Sequence, residues 1–595
     1  MIVVKNIVAS PNRLYNDGQS SLEVSCTVFS GNDFASIGRV WLDLTHTAMN
    51  QEKPLTPSRE NLLSPSAEGD YSVKIPIPRL LDAGEYSLPV GAADSTDEKG
   101  FGRATFSVIH RRSANVPAIG SEAFNRQMEE FAGLPFRAGN TITVLEDGRA
   151  ALDQRIKMIE NARRQIVLQT FVLDRSLAQG YFLDAILARV DAGVHVFLLL
   201  NADTMIPSSP LGALKIRISQ LFSDINLGYD RFAKEMERKS SVWSFLLPKA
   251  KKGGLHLAMF NGNPLAEKDK EQRKDIRTRD HWLDRMWRGE EVDRQPKAIE
   301  EWLSSFAGPS GLPALPLLDY AIHEKLLVVD GLTGMVGGRN LEDRYFTHWL
   351  DTDWQIEGPI VRDMEKTFAE VFDEVAAPGV LRPEILHGTR PQALAGGSLN
   401  ALFACSRPWN KRYGALLCMA HAVEACTKSF YAYSQFLVLP DSLLRDVIID
   451  AAIRGVDVRL CVNSLETARE VYLGLSFVLT LNYVEDLLRA GVRIFMVRGD
   501  IGEEPPPQPY LHKKEFLFDS ALCACGSFNL SMRSSYMESE NLVFVDDENF
   551  CTQRRKAFLK FLEERTDEMD QVRFEEEKER FKTRMEMTRR LDLLY

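Results

Sequence analysis

"AIHEKLLVVDGLTGMVGGRN", residues 321–340, sets a histidine and a lysine two residues apart at the head of an apolar run. Residues i and i+2 of a strand project to one face, so His323 and Lys325 point together while "LLVV" fills a sheet behind them. The pattern returns as "LHKKEFLFDSALCACGSFN" at 511–529. His323, Lys325, Asp330 and Asn340 fall at 0, +2, +7 and +17, and His512, Lys514, Asp519 and Asn529 fall at the same offsets. At +28 stand two carboxylates, Asp351 and Glu540. A single H-x-K carries no signal; two copies in one register do.

The elements around each copy also repeat. "RQIVLQTFVL" reads as a strand, "GYFLDAILARVDAG" as a helix and "VHVFLLLN" as a strand. "KSFYAYSQFLVL", "DSLLRDVIIDAAIRG" and "VDVRLCVN" repeat that order, with Gly193 and Asn201 matched by Gly455 and Asn463 at a common offset of 262. One offset of this size indicates a duplicated α/β lobe rather than a solenoid. From Gly193 to His323 is 130 residues and from Gly455 to His512 is 57, so the first lobe carries an insertion of 73, placed in 205–310. It is basic, with Trp243, Phe245, Trp282 and Trp287, and reads as a lid or surface-binding element or as a helical decoration.

Before the repeat, residues 1–112 read as strands. "SLEVSCTVF" alternates Leu22, Val24, Cys26 and Val28 with polar residues, and "YSVKIPIP", "AGEYSLPVGAAD" and "GRATFSVIH" follow. Short strands at this spacing predict a β-sandwich, and "AGEYSLPVGAADSTDEKG" resembles the late strands of immunoglobulin-like domains. The expected architecture is therefore α/β: an immunoglobulin-like β-sandwich at 1–112, a first lobe at 122–386, a second at 400–552 with pseudo-twofold symmetry to the first, and a charged C-terminal helix at 553–595. "RRSANVPAIGS" at 111–121 and "HGTRPQALAGGSLN" at 387–400 read as connections.

Composition narrows the chemistry. The net charge of −11 disfavours an extended nucleic-acid surface, which needs clustered Lys and Arg. Eight cysteines in 595 residues, mostly in apolar settings, read as reduced core residues and suit a reducing compartment; the C-x-C of Cys523 and Cys525 alternates along a strand and is weak evidence for metal. "MIVVKNIVASPNR" lacks the pattern of a signal peptide, and no apolar run reaches the length of a membrane span. The longest, 471–484, reads as a buried helix or as one touching a membrane interface. These features predict a cytoplasmic chain or one peripheral at the inner membrane face, with leaderless export an alternative.

If the lobes meet about a twofold axis, two histidines, two lysines and two asparagines converge into a cage for one phosphodiester. One histidine attacks phosphorus and the other protonates the leaving alkoxide. Lys325, Lys514, Asn340 and Asn529 hold the non-bridging oxygens. Asp351 and Glu540 fix the imidazole tautomers, each expected to serve the histidine of its own lobe. Gly337-Gly338 and Gly526-Ser527 are expected to let backbone approach a ligand. No metal or cofactor is called for, since the lysine beside each histidine repels a cation.

The repeated H-x-K-x4-D pattern resembles the phospholipase D superfamily over roughly 120–550. "GGRNLEDRYF", "DTDWQIEGPIV" and "GSFNLSMRS" look like its bacterial cardiolipin synthase branch without transmembrane helices. The resemblance implies a phosphohistidine intermediate, His323 as nucleophile, His512 as general acid, and Asp330 and Asp519 as motif residues of the site. It implies a phospholipid substrate, phosphatidylglycerol or similar, at a membrane surface. Glu538 departs from the branch, which usually has Asn there. The alternatives are a nucleic-acid phosphodiesterase and a lipid-binding protein without activity. The N-terminal β region reads as an assembly module with a protein partner, or as a spacer.

Overall fold

A computed structural model describes residues 2–30, 37–44, 52–54, 56–57, 68–174, 177–201, 246, 249–250, 254–260, 321–375, 397–440, 442–469, 474–499 and 508–588. Most of the expected insertion at 205–310, with Trp243, Phe245, Trp282 and Trp287, lies outside the described residues, as do 387–396.

The N-terminal strands form two sheets. One runs in the order Ile2–Ser10, Ser21–Ser30, Glu68–Pro76, Thr56–Pro57; the other runs Arg13–Tyr15, Lys99–Ile109, Gly84–Asp94, Ile37–Asp43, Glu52–Pro54. The predicted alternation holds: Leu22, Val24, Cys26 and Val28 are all buried. They share an apolar cluster with Val90 and Phe106 of the second sheet.

The rest of the chain is mixed α/β. In its first half, Leu255–Phe260, His195–Asn201 and Gln165–Thr170 lie parallel. Leu326–Val329, Thr333–Gly337, Asp353–Glu357 and Arg137–Leu145 continue the sheet antiparallel. In the second half, Arg493–Val497, Asp457–Asn463 and Ser429–Tyr433 lie parallel, followed by Glu515–Phe518, Leu522–Gly526, Glu538–Asp546 and Leu399–Arg407. The order is the same in both. Arg137–Leu145 and Leu399–Arg407 pair with each other and join the two sheets. Crossover helices Tyr181–Asp191 and Leu443–Ile453 fall where the sequence predicts them. Gly193 and Gly455, matched by offset, both turn the chain after their helix with φ of 86° and 87°, a conformation that glycine adopts without steric cost. Apolar clusters cover both faces of the central strands, which explains why "QIVLQT" and "SFYAY" are buried throughout.

One expectation changes and one pair of alternatives is resolved. The C-terminal segment is not one helix: Glu548–Arg565 and Gln571–Thr588 flank a strand, Thr566–Met569, which pairs with Arg493–Val497. That strand covers an edge whose backbone groups would otherwise lack partners. The apolar stretch at 471–484 contributes to helix Leu475–Arg489, with Phe477, Val478, Leu479 and Leu481 buried. Phe477 packs edge-on against Phe581 of the last helix, centroids 5.8 Å apart. It is the core helix of the two readings, and its membrane contact is set aside. Among the described residues, no helix is long and apolar enough to cross a membrane.

Candidate active site

The two H-x-K segments lie against each other's halves of the molecule. Ala321–Ile322 pairs in parallel with Glu538–Ser539, and the His323 amide donates to the Ser539 carbonyl at 3.0 Å. Reciprocally, Leu350 bridges to Leu511, and the His512 amide donates to the Leu350 carbonyl at 2.8 Å. The backbone thus sets each histidine beside the carboxylate of the other copy. His323 Nδ1 lies 2.9 Å from Glu540 Oε1, and His512 Nδ1 lies 2.8 Å from Asp351 Oδ2. This corrects the expected pairing within each lobe. The shared +28 offset identifies the carboxylates but carries no information on which strand the histidine segment joins.

Both imidazoles are buried, at 7% and 3% exposure. Burial, then Lys325, holds His323 well below the usual imidazole range, and burial, then Lys514 and Lys325, does the same to His512. A neutral ring facing a carboxylate through Nδ1 carries its proton there and leaves Nε2 as the basic nitrogen. The lysines project with the histidines: Lys325 donates from Nζ to the His323 carbonyl, and Lys514 to the His512 carbonyl at 2.7 Å. Burial pulls Lys325 down to about 7 and Lys514 to about 8. Burial pushes Glu540 up to about 7 against Lys325, and raises Asp351 against Arg339. Groups this close share protons and titrate as a unit.

Asn340 and Asn529 are buried beside the histidine segments; Asn340 donates to the Tyr345 hydroxyl at 2.9 Å, and the Asn529 amide donates to Ser534 Oγ at 3.1 Å. The glycines are closed in by the protein's own atoms. A Cβ on Gly338 would sit 2.2 Å from Asp351 Oδ1, and one on Gly526 would sit 2.1 Å from the Asn541 carbonyl. Asp330 and Asp519 are not at the site. Each stands at the far end of its strand, about 16 Å along the chain from the lysine at ~3.3 Å per residue. Asp330 accepts from the amides of Arg163, Arg164 and Gln165, and Asp519 from those of Thr427, Lys428 and Ser429. They tie the neighbouring strand's entry to the motif strand.

Several wall residues escape the sequence reading. Arg344 and Arg533 both stand at +21, an offset shared by the two copies that was there to be found. Each lowers the basicity of the histidine across the interface, Arg533 that of His323 and Arg344 that of His512. At +26 the copies differ. Glu538 binds Arg533 at 2.7 Å and lies 3.8 Å from His323 Nδ1. Trp349 lies under Arg344, 4.9 Å from its ring centroid, and tilts against His512 at 5.5 Å. Tyr345 meets His512 edge-on, and Phe171 meets His323 likewise. Ser527 and Ser534 donate to Glu540, the latter at 2.5 Å. His323, Glu538 and Glu540 each offer a ligand atom within 4.8 Å of the others. Glu538 is already paired with Arg533, and Glu540 takes the Ser527 and Ser534 hydroxyls and the charge of Lys325.

Known proteins resemble much of this chain. Residues 419–562 match the family described as "Cardiolipin synthase, PLD-like domain". Cardiolipin synthase A of Pseudomonas putida is 26% identical over 461 residues, covering 75% of this chain and 73% of that protein. Cardiolipin synthase A of Pseudomonas fluorescens (strain SBW25) is 32% identical over 269 residues, 43% of this chain and 50% of that protein. Among solved structures, phosphatidylserine synthase of Haemophilus influenzae Rd KW20 aligns with a TM-score of 0.48 at 13% identity, over 79% of this chain and 100% of that one. Nuc of Salmonella typhimurium, a phospholipase D family member, aligns with a TM-score of 0.22 at 18% identity, over 29% and 99%. Residues 419–562 thus resemble a phospholipase D-like domain of the cardiolipin synthase family.

Proposed function

We propose that the protein is a phosphatidyl-transferring or phospholipid-hydrolysing enzyme of the phospholipase D type. One observation carries this reading: two buried imidazoles, each oriented through Nδ1 by a carboxylate of the other copy, with two buried lysines whose charges act on both. We read the chain as two lobes, 122–386 and 400–552, related by a pseudo-twofold axis through this site, behind an immunoglobulin-like sandwich at 1–112.

His323 Nε2 attacks phosphorus, forming a P–N bond as the P–O bond to the leaving group breaks. His512, protonated for this step, gives its proton to the departing alkoxide. Lys325, Lys514, Asn340 and Asn529 stabilise the oxygens on phosphorus. The phosphorylated imidazole is cationic, and among the described residues His323 faces two carboxylates, Glu540 and Glu538, where His512 faces Asp351. This favours His323 as nucleophile and leaves His512 the stronger acid. An incoming hydroxyl then gives its proton to His512 and takes phosphorus from His323. Water yields phosphatidic acid; the glycerol end of phosphatidylglycerol yields cardiolipin. The substrate is met at a membrane surface, without a spanning helix among the described residues.

The test is incubation with phosphatidylglycerol, phosphatidylethanolamine and single-stranded DNA, with products read by mass spectrometry. Phosphatidic acid or cardiolipin formation supports the reading. Cleavage of DNA with the lipids untouched moves the site to nucleic-acid chemistry.

A further inference from the structure

The turn between strands Glu68–Pro76 and Gly84–Asp94 of the N-terminal sheets is lodged in the α/β body. Leu80, at φ 61°, is buried in the same apolar cluster as Phe124 and Met419. Arg79 pairs with Glu424 and meets His421 Nδ1 at 2.9 Å. Asp82 accepts a hydrogen bond from the hydroxyl of Tyr536, which is itself buried and also accepts from the Leu443 amide at 3.3 Å.

Tyr536 ends the short helix Met532–Tyr536. That helix faces the site with its other residues. Ser534 donates to Glu540, Glu540 meets His323, and Arg533 holds Glu538. In the corresponding helix of the first copy, Arg344–Thr347, the position of Tyr536 is taken by Thr347, which is exposed and bonds the Asp343 carbonyl of its own turn. Among the described residues, the Tyr536–Asp82 bond fastens the wall behind His323 to the N-terminal sheets.

The geometry points to Asp82 and Tyr536 as positioning residues for His323, acting through Ser534 and Glu540, so that the N-terminal β region is a working part of the active site rather than a spacer. This rests on the two-histidine reading above. The physical route is short. Asp82 fixes the end of a helix of five residues. A shift there pulls Ser534 off Glu540, whose charged form that hydroxyl stabilises. The other charged and titratable groups around Glu540 are His323, Glu324, Lys325, Lys514, Glu538 and Arg533. Losing the Ser534 bond raises the pH at which Glu540 takes up a proton and releases His323.

The experiment measures kcat, KM and the pH–rate profile on phosphatidylglycerol in mixed micelles for Tyr536→Phe, Asp82→Ala, Asp82→Asn and Ser534→Ala, with a thermal melt of each. We expect Tyr536→Phe and Asp82→Ala to lower kcat about 10-fold with KM within about twofold, and to move the acid limb upward by about half a pH unit, as for loss of one bond in a polar network. Ser534→Ala moves the limb the same way, and adding Tyr536→Phe to it changes little more, because both act through one bond. Asp82→Asn keeps an acceptor and stays close to wild type, which separates positioning from folding if Asp82→Ala melts early. Thr347→Val leaves the profile unmoved. An unmoved acid limb in folded Tyr536→Phe, or losses that multiply in the double variant, overturns the coupling while leaving the catalytic reading intact. Full turnover by His323→Ala would instead remove the catalytic reading itself.

Discussion

The walls around the two histidines are built differently. His323 faces Glu540, which is held by two hydroxyls, and Glu538, which is held by Arg533. His512 faces Asp351, which takes the Thr352 amide at 2.8 Å and the charge of Arg339, with Trp349 and Tyr345 against the ring. The reacting groups are the same and their surroundings are not. In the proposed mechanism, repetition of the motif supplies the parts of a phosphodiester site, and divergence around it separates a nucleophile from an acid.

The sharpest way to break this comparison is to remove each histidine. His323→Ala and His512→Ala should each cost at least about 10³-fold in kcat, as coupled catalytic groups do. Both should keep the wild-type circular dichroism. A phosphopeptide trapped from His512→Ala should carry the phosphoryl group on His323; finding it on His512 in the reverse variant alone would exchange the two roles.

The crossed carboxylates come next. Glu540→Gln and Asp351→Asn should each lose roughly 10²-fold, the scale of an orienting partner in acid–base chemistry. The crossing is tested by double variants. Glu540→Gln should add little to His323→Ala, and Asp351→Asn little to His512→Ala, since partners in one network are not additive. Coupling within each copy instead would contradict the geometry.

The motif residues and the strand order were legible because repetition supplies its own control: His323, Lys325, Asn340 and Asp351 have counterparts at equal offsets. Arg344 and Arg533 were legible on the same ground and went unread. What repetition hides is pairing. It shows that Asp351 and Glu540 matter, but a two-residue strand such as Ala321–Ile322 leaves no periodicity to reveal that it joins Glu538–Ser539. It also favours residues that recur for structural reasons. Asp330 and Asp519 recur because both copies need a carboxylate at φ of 55° and 52° to cap a neighbouring strand, a conformation Asp tolerates better than most residues. Ser527 and Ser534 lay beyond reach, since Gly338 and Tyr345 stand in their places in the first copy.

A smaller effect sharpens the difference at +26. Glu538→Gln should lower kcat about fivefold, because an ion pair that is nine-tenths buried is removed while Glu540 stays on His323. Trp349→Phe keeps an aromatic face against His512 and should stay within about twofold. Equal losses from the two would mean that the +26 residues act alike, and that the asymmetry does not distinguish the histidines.

The mildest prediction concerns the helices that follow each +28 strand. At +42 the first copy has Glu365, in helix Val361–Val375, and the second has Arg554, in helix Glu548–Arg565. Arg554 answers Glu515 at 2.6 Å and Glu146 at 2.7 Å, so its charge is matched. Glu365 is buried against the Gln165 side-chain amide, and burial pushes its carboxyl up to about 7. A carboxyl raised above its unfolded value binds a proton more tightly in the folded state. Its contribution to stability is therefore full below about pH 4.5 and is lost as pH rises through about 7. Glu365→Gln removes that titration and keeps a polar group for Gln165. The variant should match wild type near pH 4.5 and exceed it above pH 7.5 by about 2 kcal/mol, less than the full shift implies because water reaches the site in part. Urea melts at the two pH values measure the difference. A constant offset between variant and wild type across that range would mean that Glu365 stays ionised in the fold, and that the two helices carry their charges in the same way.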